Sequence, residues 1–314
     1  MSSAMLYAPF FGLRERPFNL VPDPDFLYWS DQHRRAFTVL EYGILSRAPI
    51  TLVTGEIGSG KTTLVRALLA TLGEDLTVGL VSNAQGGRGD LLSWVLGALG
   101  IEAPAGAGYA EMFGRLQRFL VDEYAAGRRV ALIFDEAQNL SAEGIEELRL
   151  LTNINTEKDE LVQLVLVGQP ELRDIVRAPN MRQLAQRVAA AFHIGPMSPE
   201  TVAEYLAHRL RHAGGTGGEF APAAAARVAE ASGGVPRLVN QLADMAMVYA
   251  WSAGAREVGP ALVDAVLADG IFIWDAPDAP SGPTSGTPSG PSFGADPDPA
   301  SSAPARAAGS ERSA

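Results

Sequence analysis

Eight residues of this chain have the types and spacing to hold a phosphate chain. Residues 55–62 read GEIGSGKT, which fits the pattern G-x-x-x-x-G-K-[ST]. Gly55, Gly58 and Gly60 permit a loop whose backbone N–H groups turn inward, and Glu56, Ile57, Ser59 and Thr63 fall in the same nucleotide-binding segment. A helix predicted from Thr63 to Leu72 adds free N–H donors and the positive end of its dipole. Lys61 is expected to place its ammonium on the β- and γ-phosphates, and Thr62 to offer its hydroxyl to Mg²⁺. The 25 basic residues include only two lysines, Lys61 and Lys158. In a chain that otherwise uses Arg, Lys61 stands where a planar guanidinium would not fit. The expected ligands are the phosphate chain of a nucleotide and Mg²⁺.

A second group is acidic. Residues 130–136 read VALIFDE, an apolar run closed by Asp135 and Glu136. Open α/β sheets bind ligands at the C-terminal ends of their strands. Asp135 is expected to hold Mg²⁺, and Glu136 to orient and deprotonate an attacking water. Read alone, the two acids are better taken as a solvated pair opening a loop; the phosphate loop earlier in the chain turns the reading to the functional one. Gln169 follows another apolar run and would lie at the same sheet edge, within reach of a γ-phosphate and the water, unless it is an ordinary loop amide before Pro170. Arg237, in GGVPRL after Pro236, stands at a predicted helix start and is placed to reach the γ-phosphate, with a surface arginine as the alternative. Arg187, with Arg182 as its rival, could act as an arginine finger in a neighbouring subunit or simply form salt bridges.

The elements that must position these residues alternate. ITLVTG (50–55), LTVGLVSN (76–83), RVALIFDE (129–136), LVQLVLVG (161–168) and RVAAAFHI (187–194) are mostly apolar on both faces, as in a covered parallel sheet. Helical periods lie between them: Tyr109 to Tyr124 forms one apolar stripe, and Ile145 to Ile154 another, capped by Ser141. The expectation is an α/β sandwich over 1–195. From Ser198-Pro199-Glu200 onward only helical patterns follow, at 222–232, 236–252 and 260–268, so 196–274 is expected to be a small all-helical lid. The N-terminal segment FFGLRERPFNLVPDPDFLYWS reads as a non-helical strap across the sheet edge. Phe11, Gly12, Leu13, Pro17 and Phe18 are its candidates for an adenine wall, with core packing the equal alternative. Residues 275–314 hold eight Pro and eight Ser and are expected to be a disordered tail.

Composition narrows the classes. The chain has 314 residues, 47% of them hydrophobic, and a net charge of −11. That balance counts against a wholly basic nucleic-acid surface. Without cysteine, thiol nucleophiles and zinc knuckles are out. No apolar run approaches the ~18–20 residues of a membrane span. The first twenty residues lack the pattern of a secretory signal, so a cytoplasmic location is expected.

Together, FGLRERPFNLVPDPDFLYWSDQHRRAF, VTGEIGSGKTTLVRALL, LIFDEAQNLS, LVLVGQPELRDIV, MRQLAQRV and GGVPRLVNQL resemble the AAA+ ATPases of the general secretion pathway protein A (ExeA) type, over nearly all of 5–270. Related families include the TniB- and MuB-like transposition ATPases. The resemblance implies a P-loop NTPase (AAA+) fold: a parallel five-stranded sheet sandwiched by helices, followed by the helical lid. It implies Mg²⁺-dependent ATP hydrolysis, a sensor at Gln169, a second sensor at Arg237 and a finger among Arg182 and Arg187. It also implies a homo-oligomer with sites at subunit interfaces. Its protein partner is not identified; the expected setting is secretion or exopolysaccharide export, with recruitment to the inner-membrane face. The secretion family continues into a membrane helix and a periplasmic peptidoglycan-binding module, and only the cytoplasmic ATPase part is expected here. An ATP-gated DNA-binding adaptor is the alternative. DNA is not favoured, because clustered basic residues are limited to Arg34-Arg35 and Arg128-Arg129.

Overall fold

The computed structural model describes residues 6–20, 26, 28–82, 89–104, 106–155 and 159–270; Lys158 and the stretch 275–314 lie outside the described residues. A four-residue helix α1 (Ala8–Phe11) and a longer α2 (Asp31–Leu45) precede β1 (Ile50–Gly55). Then come α3 (Lys61–Leu69), β2 (Leu76–Ser82), α4 (Asp90–Ala98), α5 (Tyr109–Ala125), β3 (Arg129–Asp135), α6 (Ala142–Leu151), β4 (Val162–Gly168), α7 (Pro170–Arg177), α8 (Arg182–Ala185) and β5 (Val188–Ile194). Four helices follow: α9 (Pro199–His212), α10 (Pro222–Ser232), α11 (Pro236–Ser252) and α12 (Pro260–Ala268). The described residues lie within a compact unit that runs from Met1 to Pro277. Among them no helix is long and apolar enough to cross a membrane.

All five strands are parallel, in the order β2-β3-β4-β1-β5. They are apolar on both faces because both faces are covered. Leu132, Phe134, Leu164 and Leu166 point to one side, where they meet α4, α5 and α6. Ala131, Ile133, Val165 and Val167 point to the other, against α2 and α3. This is the period-2 alternation of a strand, and each large side chain so buried contributes about 1.5–3 kcal/mol. Ser141 and Ser198 cap α6 and α9 through hydrogen bonds from Gly144 N and Thr201 N.

Strand order decides which loops meet at the ligand-binding edge. β4 is inserted between β1 and β3, with Thr54 opposite Gly168 and Phe134 opposite Leu166. The residues that follow β1, β4 and β3 therefore emerge side by side at one sheet edge.

Of the two readings of the strap residues, core packing holds for Leu13 and Phe18. The strap begins within α1, and its Leu13, Phe18 and Phe26, with Tyr7 just before it, are buried with Val202, Leu206, Val239 and Leu242 in the core of the four C-terminal helices. Tyr7 and Arg16 both hydrogen-bond Asp244 of α11. Apolar burial and this charged anchor join the strap to the helices rather than to the sheet.

Candidate active site

The loop between β1 and α3 turns through Gly58 and Gly60, both with left-handed φ, +77° and +91°. Helix α3 begins at Lys61 and ends at Leu69, two residues before and three before the limits read from its pattern. The Lys61 ammonium is buried and donates to Gly55 O at 2.6 Å and Glu56 O at 2.8 Å. Burial lowers its pKa from the lysine value, against the opposing pull of Glu136 and Asp135.

Across from the lysine, Thr62 Oγ1 donates to Asp135 Oδ2 at 2.8 Å. Burial raises the pKa of Asp135 from the ordinary carboxylate value, while the Thr62 hydroxyl opposes the shift. A hydroxyl and a half-desolvated carboxylate side by side are the oxygen donors that suit Mg²⁺ beside phosphates, so the residues present fit that ion.

Glu136 departs from ordinary backbone geometry. Its φ is +56°, a conformation that costs a non-glycine residue of order 1–3 kcal/mol. Its own N–H donates to Asp135 Oδ1 at 3.0 Å. Two amides hold the Glu136 side chain: Gln138 Nε2 donates to Oε2 at 2.6 Å and Gln169 Nε2 at 3.3 Å. Gln138 Oε1 in turn accepts from Gln169 N at 2.9 Å. The strands β3 and β4 thus end in an acid–amide clasp. Gln138 is the member that sequence reasoning missed; it sits two residues after Glu136 on a short 3₁₀ turn and carries no local signal.

Arg237, second residue of α11, faces the loop. A Cβ on Gly58 would stand 2.3 Å from Arg237 Cβ, so a glycine is required there by contact as well as by φ. The Arg237 side chain is exposed and lines a cavity of about 330 Å³, together with Ile57, Lys61, Thr62, Thr63 and Glu136. That volume is within the range of ligand pockets. Strap residues Asn19, Leu20, Phe26 and Tyr28 line it too, whereas none of Phe11, Gly12, Leu13, Pro17 and Phe18 does.

The two remaining arginines are not brought to this cavity. Arg187 donates to Thr152 O at 2.6 Å and to Asn153 Oδ1. Arg182, first residue of α8, is exposed.

One further side chain touches the loop, and the motifs did not reveal it. His33, in the first turn of α2, is buried, with Nε2 2.9 Å from Ser59 O and Nδ1 2.7 Å from Ser30 Oγ. A carbonyl only accepts, so Nε2 carries the hydrogen and Nδ1 accepts from Ser30. Gln32 beside it accepts from Gly195 N and donates to Pro196 O. One helical turn therefore grips both the phosphate loop and the link from β5 to α9. Burial holds the His33 pKa below the ordinary histidine value, although the Ser59 carbonyl pulls the other way. The unfolded chain then takes up a proton first, so this contribution to stability is full above about pH 6.5 and declines as pH falls below it. The melting temperature should therefore drop more steeply between about pH 7 and pH 5 in the wild type than in His33→Gln. Parallel melting curves would contradict this.

Residues 44–176 match the family model described as an AAA domain. Over 253 residues the chain is 38% identical to the General secretion pathway protein A of Aeromonas hydrophila, which takes in 81% of this chain and 46% of that protein. The chain thus spans less than half of that relative's length. Among solved structures, Cdc6p from Pyrobaculum aerophilum is similar at a TM-score of 0.59 and 17% identity, over 76% of this chain and 68% of that one. Drosophila ORC bound to DNA is similar at 0.63 and 16%, over 87% and 68%. At such identities the likeness is one of fold. Residues 44–176, which carry the phosphate loop and strands β1 to β4, are an AAA-like P-loop domain, and most of the chain is similar to part of general secretion pathway protein A.

Proposed function

We propose that the chain hydrolyses ATP in a Mg²⁺-dependent reaction, and that it works as an oligomer to assemble or remodel a partner complex. The observation that carries the reading is the Glu136 carboxylate, clasped by Gln138 and Gln169 beside the Thr62–Asp135 pair. Backbone amides of residues 56–63 receive the phosphates, and Lys61 leaves the Gly55 and Glu56 carbonyls for the β- and γ-phosphate oxygens. Thr62 and Asp135 would hold Mg²⁺, which when bound would supply positive charge to offset that of the phosphates. Glu136 accepts a hydrogen bond from the attacking water and takes its proton at a carboxylate oxygen. Gln169 holds that carboxylate in place while facing the γ-phosphate. Arg237 reaches the same phosphate from α11, so hydrolysis alters how the C-terminal helices pack on the loop.

The trans role falls to Arg182 rather than Arg187, because Arg187 is already bonded to Thr152 and Asn153. An exposed arginine on α8 is free to enter a neighbouring copy's site. Kinship with a protein of the general secretion pathway supports a setting in secretion or envelope export, at the cytoplasmic face of the inner membrane. ATP turnover measured against protein concentration tests the reading. Turnover per subunit should need Mg²⁺ and rise with concentration, and Arg182→Ala should remove that rise. No hydrolysis at any concentration would overturn the proposal.

A further inference from the structure

The first turn of α2 belongs to neither the phosphate loop nor the acidic strand end, yet two adjacent side chains on it reach the loop and the C-terminal helices. Ser30 caps the turn: its Oγ accepts from His33 N at 3.3 Å and gives its own hydrogen to His33 Nδ1. The neutral ring then carries its hydrogen on Nε2, which donates to Ser59 O at 2.9 Å. The ring also packs on the next residue of the loop. A Cβ on Gly60 would stand 2.8 Å from His33 Nε2.

A trans peptide is planar, with its C=O and N–H pointing in opposite directions. Holding Ser59 O towards α2 therefore holds the Gly60 N–H on the far side of the same peptide. Among the described residues that N–H meets no backbone carbonyl, and in a loop of this type such donors serve the phosphates.

Gln32, the neighbouring side chain, grips the link between β5 and α9 at two points. Its Oε1 accepts from Gly195 N at 2.7 Å, and its Nε2 donates to Pro196 O at 3.1 Å. The next residue of the link, Met197, donates its N–H to Gly234 O at 2.9 Å. The two backbones meet closely there, since a Cβ on Gly234 would stand 2.1 Å from Met197 O. Three residues further on, Arg237 packs against Gly58 of the loop. One clamped link and one backbone hydrogen bond thus connect Gln32 to the start of α11.

We propose that this turn is a positioning element for hydrolysis: His33 aims the Gly60 N–H at the phosphates, and Gln32 holds Arg237 in register with them. The inference rests on the nucleotide reading above and adds two residues outside the loop motif. Both are positioning residues, His33 through one peptide of the loop and Gln32 through the guanidinium on α11. The first effect falls on binding and the second on turnover.

The test titrates ATP and inorganic tripolyphosphate against wild type, His33→Asn and His33→Gln, and follows single-turnover hydrolysis in Gln32→Leu with and without Arg237→Ala. His33→Asn is too short to reach Ser59 O and should weaken both ligands ~10-fold, as expected when one hydrogen-bond donor is misdirected. His33→Gln can place an amide donor where Nε2 stands, and should restore both affinities to within ~3-fold of wild type. Gln32→Leu should slow hydrolysis of bound ATP ~10-fold with its affinity little changed, and should add nothing once Arg237 is replaced. In wild type, the NMR signal of the Gly60 amide proton should move downfield when tripolyphosphate binds. A Gly60 signal that does not move would overturn the proposal even if the variants fail to fold. So would equal affinities in wild type and His33→Asn, or a loss that His33→Gln does not restore. An undiminished effect of Gln32→Leu beside Arg237→Ala would overturn the part given to Gln32. Wild type that binds neither ligand would instead overturn the nucleotide reading itself.

Discussion

Glu136→Gln should keep ATP bound and lower turnover by ~10²–10⁴-fold, the range over which a positioned general base acts. The substitution is nearly isosteric. It retains an oxygen for the Gln138 and Gln169 amides that now donate to Oε2, so the clasp survives. It removes the negative charge and the basic lone pair that would accept the water's proton. It leaves Lys61, Thr62 and Asp135 in place, and these carry the contacts expected to bind phosphate and cation. Relief of repulsion near the phosphates should keep ATP affinity equal to wild type or slightly tighter. The measurement is single-turnover hydrolysis beside an equilibrium titration with ATP. Turnover within ~3-fold of wild type would remove Glu136 from the chemistry, since loss of a general base costs far more than that.

Lys61→Arg should lose ATP affinity by ~10²-fold although the charge is conserved. That factor corresponds to the loss of a charge-assisted hydrogen bond. The ammonium is buried between two loop carbonyls, 2.6 and 2.8 Å away. A planar guanidinium is wider and presents its donors as a fork, so it cannot occupy that place without displacing residues 55–60. Arg237 of α11 packs close against Gly58, where even an added Cβ would stand 2.3 Å from the arginine Cβ. The expected result is weak ATP binding in a protein whose melting temperature in the absence of nucleotide changes little. Affinity within a few-fold of wild type would show that the loop tolerates the larger cation, and that the scarcity of lysine in this chain has another origin.

The two results probe parts of the site that differ in how legible they were. GEIGSGKT is a local pattern: its glycines, lysine and threonine act through backbone geometry within eight residues. The strands were legible for a related reason. Runs such as 129–135 and 162–168 are apolar on both faces, and only a covered strand needs that. Short helices were harder. α7 has eight residues and two buried side chains, Leu172 and Val176, too few to establish a period.

The strap shows where local pattern stops. Its aromatics announced burial but not against what, and the structure places Phe18 among α9–α12 while Leu20 and Tyr28 reach the cavity. Arg187 shows the same limit, since nothing in RQLAQRV tells that its guanidinium will bond Thr152 and Asn153.

By itself, then, the sequence determined a phosphate loop between a strand and a helix, an Asp-Glu pair at a strand end, and helices after the sheet. Each is set by neighbours within a few residues, through backbone conformation or hydrophobic period. Tertiary structure alone decided the strand order that puts Gly55, Asp135 and Gln169 at one edge, the Gln138 clasp on Glu136 and the His33 grip on Ser59. Those depend on hydrogen bonds between side chains brought together by packing, and such pairings have no periodicity along the chain from which to read them.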